Sequence, residues 1–134
     1  PNIDADPILI EQVLLNLLKN AAEAIDLAET PQSRRIVELR VMQKNTEDQG
    51  QVIEFQVSDG GPGMKEEHLS RLFEAFSSTK ADGLGIGLSL CRSIVESHHG
   101  RIRAENIYNG PTVMGCRFTF TLPVESSEPQ GSAA

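Results

Sequence analysis

At 134 residues, with 39% apolar and 23% charged residues, the chain has the size and composition of one soluble globular domain with a single core. Nineteen Asp and Glu against twelve Lys and Arg give a formal charge of −7, which argues against a nucleic-acid surface. No apolar run reaches the roughly 18 residues of a membrane span, and the first residues lack a signal-peptide pattern, so a cytoplasmic domain without membrane contact of its own is expected.

In chain order, Asp6-Pro7 reads as the cap and first turn of a long helix over 7–28, whose apolar face is Val13, Leu14, Leu17, Leu18, Ala21, Ala24 and Ile25. Thr30 to Ser33 breaks the pattern. Val37, Leu39 and Val41 then alternate with Glu38 and Arg40 as in a half-buried strand, and Asn45 to Gly50 is a turn. The second strand carries Ile53, Phe55 and Val57 on one face and runs into Asp59-Gly60-Gly61-Pro62-Gly63. A short helix is expected over 66–73 and a mobile loop over 77–83. Leu84, Leu88, Cys91, Ile94 and Val95 repeat at helical spacing, with Gly100 placed to end that helix in a left-handed cap. Two strands follow, Arg101 to Ile107 and one ending at Pro123, with Cys116, Phe118, Phe120 and Leu122 on one face. Residues 1–124 thus form the domain, and the Ser, Pro, Gly and Ala tail over 125–134 is expected to be disordered. Cys91 and Cys116 fall among apolar neighbours and are expected to be buried free thiols. The order of elements implies an α+β, two-layer sandwich: a mixed, mostly antiparallel sheet covered on one face by about three helices.

Three features carry chemistry. Asp59 has the same parity as Phe55 and Val57, so its carboxylate points with the core residues and needs a partner. It either caps the Gly60-Gly61 turn or, with Cβ atoms missing at three nearby positions, receives a flat ligand laid against the backbone. Asn16, Asn20 and Glu23 form one stripe at the edge of the apolar face of the first helix, where neutral amide oxygens suit Mg²⁺ whose negative ligands are phosphates. An ordinary solvated helix face has the same pattern. Gly83-Leu84-Gly85-Ile86-Gly87-Leu88 sits at a loop-to-helix junction, where unpaired N–H groups attract phosphate, although its glycines match neither the dinucleotide fingerprint nor a P-loop. Tight packing of the helix on a sheet is the alternative there. Lys80 adds a cation on the preceding loop.

The order of these segments resembles that in sensor histidine kinases. Asn16-Leu17-Leu18-Lys19-Asn20-Ala21 is similar to their N box and Asp59 to Met64 to their G1 box. Leu72-Phe73-Glu74-Ala75-Phe76 is similar to the F box and Gly83 to Leu88 to the G2 box. The resemblance covers roughly residues 6 to 123 and implies the Bergerat fold shared with type II topoisomerases, mismatch-repair ATPases and large heat-shock chaperones. It implies ATP or ADP as ligand, with Asn20 on Mg²⁺ and Asp59 on the adenine amino group. Gly61 and Gly63 would make room for the base beside Ile25, Met64 and Ile86, and N–H groups near Gly83, Gly85, Gly87 and Leu88 would hold phosphates. Lys80 on a lid, Arg71 before the F box and Asn16 are the candidates for catalysis. Glu23 departs from the lysine of many relatives, although a subgroup shares the acid, and Cys116 stands where a Ser or Thr is usual.

His68, His98 and His99 lack the context of a phosphoacceptor and read as structural. The resemblance therefore implies transfer of the ATP γ-phosphoryl to a histidine on a separate helical domain, a response regulator as later acceptor, and a homodimeric full-length protein. A nucleotide-sensing module without phosphotransfer is an alternative. An ATPase of the wider superfamily is another, opposed by Asn16 at the position where such enzymes carry a glutamate base.

Overall fold

A computed structural model of the chain describes residues 5–27, 35–73 and 84–124. The first helix, α1, spans Pro7–Leu27. Asp6 caps it: Oδ1 accepts the N–H groups of Ile8 at 2.9 Å and Leu9 at 3.4 Å, while Pro7 fills the first position, where a missing N–H costs nothing. The apolar stripe expected from spacing is buried, with Val13, Leu17, Ala21 and Ile25 in the interior and Leu14 and Leu18 packed beside them.

Strands β1 (Val37–Thr46) and β2 (Gly50–Asp59) form an antiparallel hairpin. Its turn is closed by Thr46, whose hydroxyl donates to the Gly50 carbonyl at 2.9 Å and accepts the Gln49 N–H at 3.2 Å. After α2 (Glu66–Leu69) and α3 (Leu84–Ser97) come β3 (Arg101–Asn109) and β4 (Thr112–Pro123). The four described strands lie in the order β1-β2-β4-β3, every pairing antiparallel. The expected two-layer α+β arrangement is present.

Register divides the sheet into two chemically distinct faces, because residues paired across an antiparallel ladder share a face. One face has Phe55 opposite Phe120, Val57 opposite Phe118 and Asp59 opposite Cys116. Its Phe55 and Phe120 rings stack at 4.6 Å, and α1 and α3 cover it with Val13, Leu17, Leu88, Cys91 and Val95. The other face has Glu54 opposite Thr121, Gln56 opposite Thr119 and Ser58 opposite Arg117. It is tied by polar contacts such as Lys44 to Glu54 at 3.0 Å and the Arg117 Nε to Ser58 Oγ hydrogen bond at 3.3 Å.

Three expectations are corrected. The helix expected over 66–73 is confined to α2: the Ser70 hydroxyl turns back to the Glu67 carbonyl, and Arg71 and Leu72 make tighter i to i−3 bonds instead of continuing an α-helix. β1 is not half-buried: Val37, Leu39 and Val41 are 37%, 43% and 57% exposed, because β1 is an edge strand and the helical layer sits mainly over β2, β4 and β3. The left-handed cap of α3 belongs to His99, at φ 66°, not to Gly100. Bonds from His99 N–H to the Glu96 carbonyl and from Gly100 N–H to the Val95 carbonyl complete a Schellman ending. Gly100 is needed for another reason: a Cβ there would collide with the Thr121 carbonyl of β4.

Both ring nitrogens of His98 are engaged. Nδ1 meets the Ile94 carbonyl at 2.8 Å and Nε2 accepts the Asp6 N–H at 3.1 Å, which joins the end of α3 to the start of α1. The structural reading of this histidine follows from those contacts. The expectations for the loop over 77–83, for Glu74 to Phe76 and for the tail over 125–134 lie outside the described residues.

Candidate functional site

β2 delivers Asp59 at its last position, on the covered face and only 5% exposed. Its Oδ1 accepts the Gly61 N–H at 2.8 Å, and the Cys116 N–H across the ladder also donates to the carboxylate. The turn-capping reading of Asp59 is thus realised. It does not exhaust the group, since a carboxylate offers about four acceptor positions. Burial pushes the Asp59 carboxyl above its ordinary 3.8, against the opposing pull of the two N–H donors.

The glycine turn is pinned on both sides. At Gly61 a Cβ would sit 3.0 Å from Asp59 Oδ1 and 3.7 Å from Ile25 Cγ1, so the turn lies directly against the last turns of α1. At Gly63 the backbone takes φ 75° and a Cβ would strike Val113 and the Asn106 amide, so only glycine fits. Met64 is held by Asn106, whose Oδ1 accepts its N–H at 2.8 Å and whose Nδ2 donates to its carbonyl at 2.7 Å. Asn106 was not singled out from sequence. The signal was present in its parity with Ile102 and Ala104, which places an amide on the covered face of β3, where it requires partners.

On α1, Asn20 is 7% exposed, and one turn further Glu23 has a buried Oε1 without a hydrogen-bond partner among the described residues. Asn16, one turn earlier, faces α3: its Oδ1 would lie 3.6 Å from a Cβ at Gly87, and its side chain hydrogen-bonds the Cys91 thiol. Burial pushes Cys91 up to about 11, and burial together with the charge of Asp59 pushes Cys116 up to about 12, so both buried free thiols stay protonated at neutral pH.

α3 begins at Leu84. The N–H groups a helix leaves without an internal partner are those of its first turn, here through Ile86. Gly87 and Leu88 follow that turn, and the Leu88 side chain belongs to the core. Arg71 is exposed in the turn after α2. The structure therefore brings Asp59, Gly61 and Ile25 together, backs Gly63 and Met64 against β3, and sets Asn16 beside Gly87. Lys80 and Gly83, and the side chain of Ile86, lie outside the described residues.

Among the described residues no group of three or more His, Cys, Asp or Glu is placed to hold a metal. A metal here would need amide and ligand oxygens as well. Nor is any described helix long and apolar enough to cross a membrane.

Residues 5–126 match the family described as histidine kinase-, DNA gyrase B- and HSP90-like ATPase. The chain is 43% identical over 124 residues to the C4-dicarboxylate transport sensor protein DctS of Rhodobacter capsulatus, covering 92% of this chain and 17% of that protein. It is 41% identical over 119 residues to the sensor protein FixL of Bradyrhizobium diazoefficiens, covering 89% and 21%. The chain thus spans about a fifth of the length of these curated relatives. Among solved structures it is similar to the nucleotide-free catalytic domain of histidine kinase ThkA, at TM-score 0.65 and 33% identity, covering 90% of this chain and 70% of that one. Full-length ShkA in complex with AMPPNP superposes at TM-score 0.66 with 26% identity, over 95% of this chain and 24% of that one.

Proposed function

Since this chain belongs to the histidine kinase-, DNA gyrase B- and HSP90-like ATPase family and shares the fold of histidine kinase catalytic domains, we propose that it binds Mg-ATP between α1 and the Asp59 turn and donates the γ-phosphoryl group to a histidine on a separate helical domain. The observation that carries this reading is the Asp59 carboxylate, out of water, with acceptor capacity left, beside a turn whose glycines press it against Ile25. A purine amino group is a donor that such a carboxylate lacks. Asn106 keeps Met64 in place as part of the wall, and Ile25 supplies an apolar flank.

The donor set of α1 suits a hard cation: a buried amide at Asn20 and an orphaned carboxylate oxygen at Glu23 are oxygen ligands of the kind Mg²⁺ takes alongside phosphates. When bound, Mg²⁺ neutralises phosphate charge. The chain's own contribution is positioning. Asp59 sets the depth of the base, the first-turn N–H groups of α3 receive the phosphates, and the Asn16 contact holds α3 at its distance from α1. Lys80 and Arg71 are assigned to the terminal phosphate. In the transfer an imidazole nitrogen of the acceptor forms a P–N bond as the bond to the ADP oxygen breaks, and the imidazole proton leaves to solvent.

The acceptor domain, a response regulator, a homodimeric whole protein and a cytoplasmic location complete the proposal. Lengths several times that of this chain in its relatives leave room for such domains. The test is γ-labelled ATP with this chain and a separately purified acceptor hairpin from the same protein. Acid-labile label should appear on the hairpin and none on this chain. A hairpin left unlabelled, or label on this chain alone, would overturn the reading.

A further inference from the structure

Asn16, Asn20 and Glu23 lie on one stripe of α1, but their surroundings divide it. Asn16 is committed to α3 through Gly87 and Cys91. Asn20 is buried, and Glu23 keeps a buried carboxylate oxygen that meets no donor among the described residues. An acceptor in that condition is costly unless something positive or protic fills the place beside it.

Among the described residues, the nearby cations do not fill it. Lys19, one turn before Glu23 and so in the weaker Lys-before-Glu order of an i, i+4 pair, is exposed and forms no ion pair among the described residues. Arg35 pairs with Asp26 at 3.0 Å. Residues three apart on a helix have Cβ atoms about 5–6 Å apart, so a cation held by the Asn20 amide lies within reach of the Glu23 carboxylate. Mg²⁺ at a nucleotide is commonly held by one or two carboxylates together with phosphates and waters, and an amide alone leaves that carboxylate unsupplied.

We propose that Glu23 shares the divalent cation with Asn20, as the carboxylate of a two-residue, one-turn metal platform on α1. This rests on the nucleotide reading and deepens it. The consequence is a strong metal requirement: without the cation, Glu23 places a negative charge beside the phosphates and repels them.

The test is calorimetric titration of the chain with ATP, in excess Mg²⁺ and in excess chelator, for the unaltered protein, Glu23→Gln, Glu23→Lys and Asn20→Ala, each checked for folding by circular dichroism. A parallel arm follows Mn²⁺ by loss of its free electron-spin resonance signal in the presence of ADP. Glu23→Gln should lower Mn²⁺ affinity by about tenfold, the low end of the 10 to 100-fold common for supporting groups of metal sites. It should also shrink the ratio of ATP affinities with and without Mg²⁺. Glu23→Lys should bind ATP in chelator better than the unaltered protein, with little gain on adding Mg²⁺. If both variants keep the original ratio and Mn²⁺ affinity within twofold while Asn20→Ala loses them, the metal rests on Asn20 alone and the inference is overturned, the nucleotide reading standing. An unaltered chain that binds no Mg-ATP sinks that reading instead.

Discussion

Asp59 shows how one residue serves two ends. It caps the glycine turn through Oδ1 while remaining a buried acceptor beside α1. Because burial raises its folded pKa above 3.8, the group opposes folding in its ionised form: its stabilising contribution is full below that value and is lost as pH rises through the raised folded value. Asp59→Asn should therefore gain melting temperature relative to the unaltered chain as pH rises from about 4 towards 8, while ATP affinity falls at least about tenfold from loss of a charge-assisted bond. Melting scans across that range and calorimetry at pH 7.5 check both halves. Parallel losses of stability and binding would reduce Asp59 to a cap. Asn106 makes a companion case. Asn106→Ala removes two hydrogen bonds and strands the Met64 N–H and carbonyl, so it should cost about 2–3 kcal/mol in urea unfolding and weaken ATP severalfold by loosening the wall at Met64.

At the scale of elements, the ends of the two long helices are where local chemistry and tertiary packing divide the work. Asp6-Pro7 starts α1 through its own side-chain cap, a local matter that the dipeptide announces, to which the His98 contact only adds. The end of α3 is different. His99 occupies the left-handed position although glycine follows it, and Gly100 is reserved for close passage under the Thr121 carbonyl. Replacing the strained residue removes a cost of about 1–2 kcal/mol but adds glycine's chain entropy, so His99→Gly should stabilise by about 0.5 kcal/mol. Gly100→Ala should destabilise by about 2 kcal/mol or more, because the obstructing atom is backbone in a central strand and cannot step aside. Denaturant unfolding of the pair reads both signs. A reversed order would return the cap to Gly100.

For the whole molecule, the deciding feature is a single apolar layer between one sheet face and two helices. Its densest part is the Phe55–Phe120 stack and Phe118, against which Phe73 sits edge-on at 6.2 Å. Phe118→Ala should cost about 3–5 kcal/mol, whereas Val41→Thr, on the uncovered edge strand, should stay within about 0.5 kcal/mol. Chemical denaturation followed by circular dichroism distinguishes them, and a comparable loss for Val41→Thr would mean that β1 is covered after all. The same layer places the site: Asp59 ends β2 where the helices close over it, and the polar reverse of the sheet carries its own ion pairs away from it.

Read from residues alone, the apolar stripes of α1 and α3, the alternation of β2 and β4, the free buried thiols and the identity of Asp59 and Asn20 as polar groups on covered faces were all legible, because each follows from helix or strand period and from local capping. Tertiary structure alone decided that β1 became an edge strand to the side of the helical layer, and so left Val37, Leu39 and Val41 largely in water. It also decided that Gly100 rather than His99 must yield to a neighbouring strand, that Asn16 belongs to α3, and that Asn106 clasps Met64 across 42 residues of chain. These outcomes depend on which surfaces meet after folding, and periodicity records only the face a residue shows, never what comes to lie against it.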